Sequence, residues 1–156
     1  MLKTTLLPLI LATTLLSSCG FHTPVKNTDL NATIVSEKSN IFATELKTRF
    51  NQEAAKNLSI QIGAEVKKQQ TASYTTSNTA NSYTLSLSVP VKVLNTDKKL
   101  LLSQDLTASM HLNSLKRADN TINTQADRLQ IEESYTQLRN TLIKKLIRRL
   151  SKLNAN

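Results

Sequence analysis

The side chains that could do chemistry are few, and they do not gather. His22 and His111 are the only two histidines. Neither has a cysteine beside it, and no H-E-x-x-H spacing puts a pair of them on one helix face. Zinc needs at least three protein ligands, so His111, which falls on the polar parity of a strand pattern, reads as a surface residue, and no metal site is expected. Serines are plentiful, but none stands in a G-x-S-x-G turn. Glu132 and Glu133 are neighbours in a helical pattern. Their side chains therefore point about 100° apart, a poor arrangement for a general acid and base. Two glycines and three prolines in the whole chain leave no glycine-rich loop for a phosphate or a dinucleotide. The chain is expected not to be an enzyme and to need no cofactor.

One side chain is set up for a covalent reaction: Cys19, the only cysteine. Lys3 supplies a positive start, and Leu6 to Leu16 is an apolar run of signal-peptide length, too short to cross a hydrocarbon core of roughly 30 Å as a helix. The small pair Ser17-Ser18 before Cys19 is similar to the lipobox of bacterial lipoproteins, in which the thiol is acylated and cleavage then leaves the cysteine first. Residues 1–18 are read as a lipoprotein signal peptide and Cys19 as the lipidation site, its covalent lipid being the only attached group. The alternative is an ordinary secretory signal with Cys19 left as a free thiol, which would expose a reactive group in an oxidising compartment. Several acyl chains, at about 0.8 kcal/mol per buried CH₂, make a near-permanent anchor. Gly20 stands where an aspartate often holds lipoproteins in the inner membrane, which points to the outer membrane.

Composition limits how the exported part can be held together. With one cysteine there is no disulfide framework, and with aromatics at 4% and no tryptophan the core must come from Leu, Ile, Val and Ala packed between helix and sheet. The formal charge of +9 suits an anionic partner such as a lipid headgroup, lipopolysaccharide or an acidic protein. No nucleic acid is expected to meet an exported chain.

Residues 19–31 are polar, include Pro24 and show no period; they read as a lipidated tether. Residues 32–156 read as a single domain. Ala32 to Ser36 is a strand candidate. Phe42, Leu46, Phe50 and Ala54, after the capping residues Ser39 and Asn40, predict a helix over about 41–56. Leu58, Ile60, Ile62, Ala64 and Val66 alternate with polar residues, as in a half-buried strand. Residues 69–81 either extend that strand or form a loop. Tyr83 to Val93 alternates cleanly, with Pro90 marking a bulge or a local edge. A turn at Asn95-Thr96-Asp97-Lys98 leads into a return strand, Leu100 to Leu112. From about Gln125 to Leu153 an apolar stripe (Ile131, Tyr135, Leu138, Leu142, Leu146, Leu150, Leu153) predicts one long helix, acidic near its start and basic near its end. The fold class is α+β: a two-layer sandwich with a mostly antiparallel sheet of about four strands under two helices, the C-terminal one long.

Two surface patterns each carry two readings. The run Lys144-Lys145-Leu146-Ile147-Arg148-Arg149-Leu150 is either a solvated helix end, favoured there by the helix dipole, or a patch for anionic headgroups. The face Thr84-Ser86-Ser88 with Ser103 and Thr107 is either the wet side of a one-sided sheet or a surface enclosed by another protein's polar interior.

On Cys19-Gly20-Phe21-His22, the strand region Leu58 to Tyr74 ending in Thr71-Ala72-Ser73-Tyr74, the strand Tyr83 to Val89, and a terminal helix carrying Gln137-Leu138 and Leu146-Ile147-Arg148-Arg149-Leu150, the chain resembles the LptE family of lipopolysaccharide-assembly lipoproteins. It departs from the family where Thr23-Pro24-Val25 replaces Leu-Arg-Gly, and where the segment before Leu58 is short. The resemblance implies an outer-membrane lipoprotein that plugs and helps assemble the β-barrel LptD, forms a heterodimer with it, and binds lipopolysaccharide. It also implies that basic residues on a strand-end loop and before the long helix meet the lipid, which makes Lys116, Arg117 and Arg128 the candidates. The competing expectations are a lipoprotein that activates a peptidoglycan synthase, or a periplasmic lipid carrier. About a dozen tether residues reach only roughly 40 Å, which favours a partner in the membrane over one across the periplasm.

Overall fold

The computed structural model describes residues 28–74, 76, 80–113 and 124–154. The signal segment, Cys19, Lys116 and Arg117 lie outside these. The elements run β1 (Asn31–Val35), α1 (Ile41–Lys47), β2 (Lys56–Ile62), β3 (Val66–Tyr74), β4 (Ala80–Asn95), β5 (Leu100–Asn113) and α2 (Thr124–Asn154). This is the expected α+β sandwich with its long final helix. The sheet has five strands instead of about four, because the polar stretch left open in the sequence forms most of β3.

β4 is the spine of the sheet. β5 lies antiparallel along one side of it, from Ser82 opposite Asn113 to Leu94 opposite Leu100. The other side is shared: β3 pairs with residues 80–88, and β2 with residues 91–95. β1 adds to β2 in parallel, after α1 has carried the chain back. The one long strand expected around Leu58–Val66 is thus cut in two. Its alternation inverts across residues 63–65: Ile62 is 5% exposed on the inner face, while Val66, opposite Ser88, is 45% exposed on the outer one.

Pro90 sits at this junction and not at a bulge. Its carbonyl accepts the Gly63 N–H at 2.9 Å. In an antiparallel strand both polar groups of a residue face the same neighbour, so the donor that proline lacks would have pointed into the gap between β2 and β3, where no ladder needs it. The register shift falls instead between Val93 and Leu94. It puts Leu100 opposite Leu94 on the outer parity, where it is 54% exposed.

α1 is shorter than expected. Asn40 caps it, its Oδ1 accepting from the Ala43 N–H at 3.0 Å, but the helix ends at Lys47. Phe50 stays buried because the chain folds back there and pairs with Thr28. Residues 28–31, assigned to the tether from sequence, are therefore already docked: the Thr28 N–H reaches the Arg49 carbonyl at 3.2 Å, and the Asn51 N–H reaches the Leu30 carbonyl at 3.0 Å.

Both helices cover one face of the sheet. Phe42, Leu46, Ile60, Leu85, Leu87, Val89, Val93, Leu142, Leu146 and Leu150 are each 0% exposed, and each full burial of that kind contributes about 1.5–3 kcal/mol. The path gives the sheet two distinct ends. The starts of β1 and β2 and the β4–β5 hairpin share one, since Asn31 pairs with Lys56 and Leu58 with Asn95. The β3–β4 connection and the end of β5 share the other. α2 runs from that opposite end toward the hairpin end: near its start Glu132 meets Lys67 of β3, and near its finish Arg149 donates to the Gln104 side chain of β5.

Candidate functional site

Of the sequence candidates for lipid contact, only Arg128 is described, and it is exposed in the first turns of α2. That places it toward the end of the sheet opposite the hairpin. Lys67 is committed elsewhere: its ammonium lies 3.0 Å from Glu132 and 4.8 Å from the centroid of the Tyr135 ring. The Tyr135 hydroxyl donates to the Lys68 carbonyl at 2.9 Å. Burial first, and the nearby Glu132 charge second, hold that phenol above its usual pKa.

The outer face of the sheet carries no helix. Thr84, Ser86 and Ser88 lie along β4 opposite His111, Ser109 and Thr107 of β5, with Gln70, Lys68 and Val66 on the β3 side. Ser88 and Thr107 bring their hydroxyls to 3.4 Å. Charges on this face are sparse, limited mainly to Lys68, Lys92 and Asp105. Such a surface is polar and carries few charges, so another polar wall can approach most of it without stranding buried charges. His111 is exposed there, and no group of three His, Cys, Asp or Glu side chains able to hold a metal occurs among the described residues.

α2 presents the second polar surface. At 100° per residue, Lys144, Lys145, Arg148, Arg149 and Lys152 fall within an arc of about 140°, opposite the buried Leu142, Leu146 and Leu150. With Thr141 they line a shallow depression of about 460 Å³. None of the five pairs with a carboxylate among the described residues. Gln104, which stands on the inner parity of β5, accepts from Arg149 and fixes that side chain against the sheet.

Sequence reasoning missed one polar cluster altogether. Arg139 is 4% exposed, inside the apolar stripe of α2. Its Nε and Nη2 donate to the two carboxylate oxygens of Glu65 at 3.0 and 3.1 Å, and its Nη1 to Glu45 at 3.2 Å. Glu65 also accepts the Phe42 N–H at 2.8 Å, so the β2–β3 junction caps α1. Burial alone would lower the guanidinium's pKa; hydrogen bonding and charge from Glu65, then Glu45, outweigh it and hold the pKa above arginine's usual value. The available signal was an arginine lying on the same arc as Tyr135, Leu142 and Leu146. The cluster ties α1, α2 and the sheet junction together and offers no open site.

The family model for lipopolysaccharide assembly, LptE, matches residues 28–150. The chain belongs to the LptE family. The match spans every described element, from the Thr28 pairing to the last buried leucine of α2. Solved structures agree at the level of fold. The chain is similar to an uncharacterized lipoprotein B from Nitrosomonas europaea, with a TM-score of 0.63 and 17% identity over 87% of this chain and 93% of that one. It is also similar to the rare lipoprotein B from Shewanella oneidensis, with a TM-score of 0.57 and 12% identity over 79% of this chain and 98% of that one. No curated protein sequence matches it. Membership in LptE makes this a lipopolysaccharide-assembly protein of the cell envelope. No described helix is long and apolar enough to cross a membrane.

Proposed function

We propose that this LptE-family chain is an outer-membrane lipoprotein, acylated at Cys19 after removal of residues 1–18, whose domain sits in the lumen of an LptD-type β-barrel. There it helps the barrel assemble and binds lipopolysaccharide on its way to the outer leaflet. The observation that carries this reading is the uncovered, hydroxyl-rich face of the sheet. A barrel lumen is polar, and rows of Ser and Thr at Thr84, Ser86, Ser88, Thr107 and Ser109 let a polar wall come close while each hydroxyl turns to donate or accept. Lys116, Arg117 and Arg128 are the proposed partners of the lipid phosphates, through charge-assisted contacts. A peptidoglycan-synthase activator is less well matched to the short tether. A lipid carrier would need an apolar cavity, whereas the depressions at the basic arc of α2 and beside Asn40 are lined largely by polar and charged side chains.

The test is purification of the tagged, acylated protein from its own outer membrane in a gentle detergent. A large β-barrel recovered in about equal amount, with bound lipopolysaccharide that is lost in a salt-dependent way when Lys116, Arg117 and Arg128 are changed together to Glu, is the expected result. Recovery of a peptidoglycan synthase, or of no protein partner, rejects the plug. Lipopolysaccharide retained by the triple variant removes those three residues as contacts.

A further inference from the structure

We propose that an extended acidic segment of the enclosing barrel protein adds as a sixth strand along the free edge of β5, beneath the cations at the end of α2. The sheet's edges are not alike. β1 is five residues long, and the outer edge of β3 is broken by two register shifts and carries Lys67 and Lys68. Short strands, irregularities and lysines are the usual means of keeping an edge from pairing. β5 has none of these from Leu102 to Asn113: the register runs without a shift, there is no proline or lysine, and Asp105 is the one charged residue. No strand among the described residues pairs with its outer side.

The junction at Pro90 shows which groups that edge offers. The Pro90 carbonyl accepts from Gly63, on the side away from β5. Its partner across the ladder, Asp105, therefore turns both N–H and C=O away from β4. By alternation Ser103, Thr107, Ser109 and His111 do the same, a row of donors and acceptors suited to strand addition. The side chains beside that row favour a particular occupant. Leu102, Ala108, Met110 and Leu112, on the helix side of β5, are only half-buried, so apolar side chains of an added strand could pack against them. At Gln104 the surroundings become basic: Arg149 donates to the Gln104 side chain, whose own amide nitrogen is buried without an acceptor among the described residues. Lys145 and Lys152 lie about 40° and 60° round the helix from Arg149, away from Leu146 and Leu150, which carries them past Gln104 to the open edge. Neither has a carboxylate partner among the described residues. The segment that fits has apolar residues beside Met110 and Leu112 and Asp or Glu beside Gln104.

The owner of the segment rests on the barrel-plug reading. Strands of a closed barrel are paired on both sides, so the segment is a loop or tail of that protein turned into the lumen. The test is deuterium exchange, read residue by residue, on the acylated protein purified with its barrel and on the same protein from cells depleted of the barrel. The Gln104, Leu106 and Ala108 amides, paired to β4, are expected to exchange slowly in both. Those of Ser103, Asp105, Thr107, Ser109 and His111 are expected to slow at least tenfold only with the barrel. S103P/H111P, which removes two outward donors and leaves the β4 ladder intact, should cancel that slowing, and K145Q/K152Q should reduce it while K145R/K152R does not; circular dichroism checks each fold. A barrel that co-purifies while these five amides exchange as fast as without it overturns the proposal and leaves the plug reading standing. Equal protection with and without the barrel also overturns it, assigning the edge to this chain itself or to a second copy. Protection unchanged in K145Q/K152Q overturns the acidic character of the segment. If no barrel co-purifies, the plug reading fails and the proposal fails with it.

Discussion

Arg139 shows how one residue can serve three elements. Its fork binds Glu65 in two-toothed fashion and reaches Glu45 on α1 as well, while the Arg139 and Glu65 side chains are only 5% and 12% exposed. Removing one member of a buried pair strands the other, at a cost of about 3–5 kcal/mol; removing both can be close to neutral. Arg139→Met is therefore expected to destabilise the domain by about 3 kcal/mol, the lower end because Glu45 is 31% exposed and can turn to water. Adding Glu65→Gln, which keeps an acceptor for the Phe42 N–H, should restore at least half of the loss. Urea unfolding midpoints measure both, and a single variant within about 1 kcal/mol of the parent would mean that the cluster is decorative. The sign of the pH effect follows from the raised pKa of Arg139. A group bound more tightly to its proton in the fold contributes fully below its unfolded pKa and loses that contribution only above it. For arginine that lies beyond the alkaline limit of most folds, so this cation adds no slope near neutrality.

Among the elements, the junction of β2 and β3 is the most exacting. A Cβ on Gly63 would stand 3.1 Å from the Pro90 Cβ and 3.2 Å from its Cγ. A proline ring fixed in a strand that is paired on its far side has little room to yield. Gly63→Ala is expected to cost about 1–2 kcal/mol through overpacking, and the cost should shrink when Pro90→Gly, which removes the opposing Cβ and ring, is made in the same chain. A double-mutant cycle reads the coupling, and strict additivity would show that Pro90 is not the obstacle. The same junction marks where the sequence stopped being legible. β4, β5 and α2 announced themselves because each keeps one period over more than ten residues, with apolar side chains against a single layer. The β2–β3 break did not, because Ile62, Ala64 and Val66 carry the alternation straight through while the backbone changes neighbours and faces. α1 was read too long for a related reason: Phe50 keeps the helical spacing but is buried by a turn. The Arg139 cluster depends on three distant segments meeting, which no local pattern encodes. Lys116 and Arg117 were drawn from resemblance and lie outside the described residues, so the lipid-contact set rests on that resemblance, with Arg128 alone placed.

At the scale of the whole molecule, the sheet divides two tasks between its faces and two more between its ends. The inner face is spent on stability, since the completely buried side chains lie between it and the helices. The outer face contributes little to the core and is free to be shaped by a partner. The ends differ in the same way: the chain enters the domain at one, where β1 begins beside the start of β2, and Arg128, a proposed lipopolysaccharide contact, lies toward the other. If the outer face is enclosed by a barrel wall, bulk added there should harm assembly without harming the fold. Ser86 and Ser109 are direct cross-strand partners on that face, and changing both to Gln adds volume without charge. Surface changes of this kind usually move stability by no more than about 0.5 kcal/mol. The thermal midpoint of the double variant should therefore match that of the parent, while the amount of barrel recovered with it falls at least several-fold. An unchanged yield of barrel with an unchanged midpoint would make this face an ordinary wet surface and would move the search for the partner's contact to the helical side, where α2 leaves Thr136, Gln137 and Thr141 exposed.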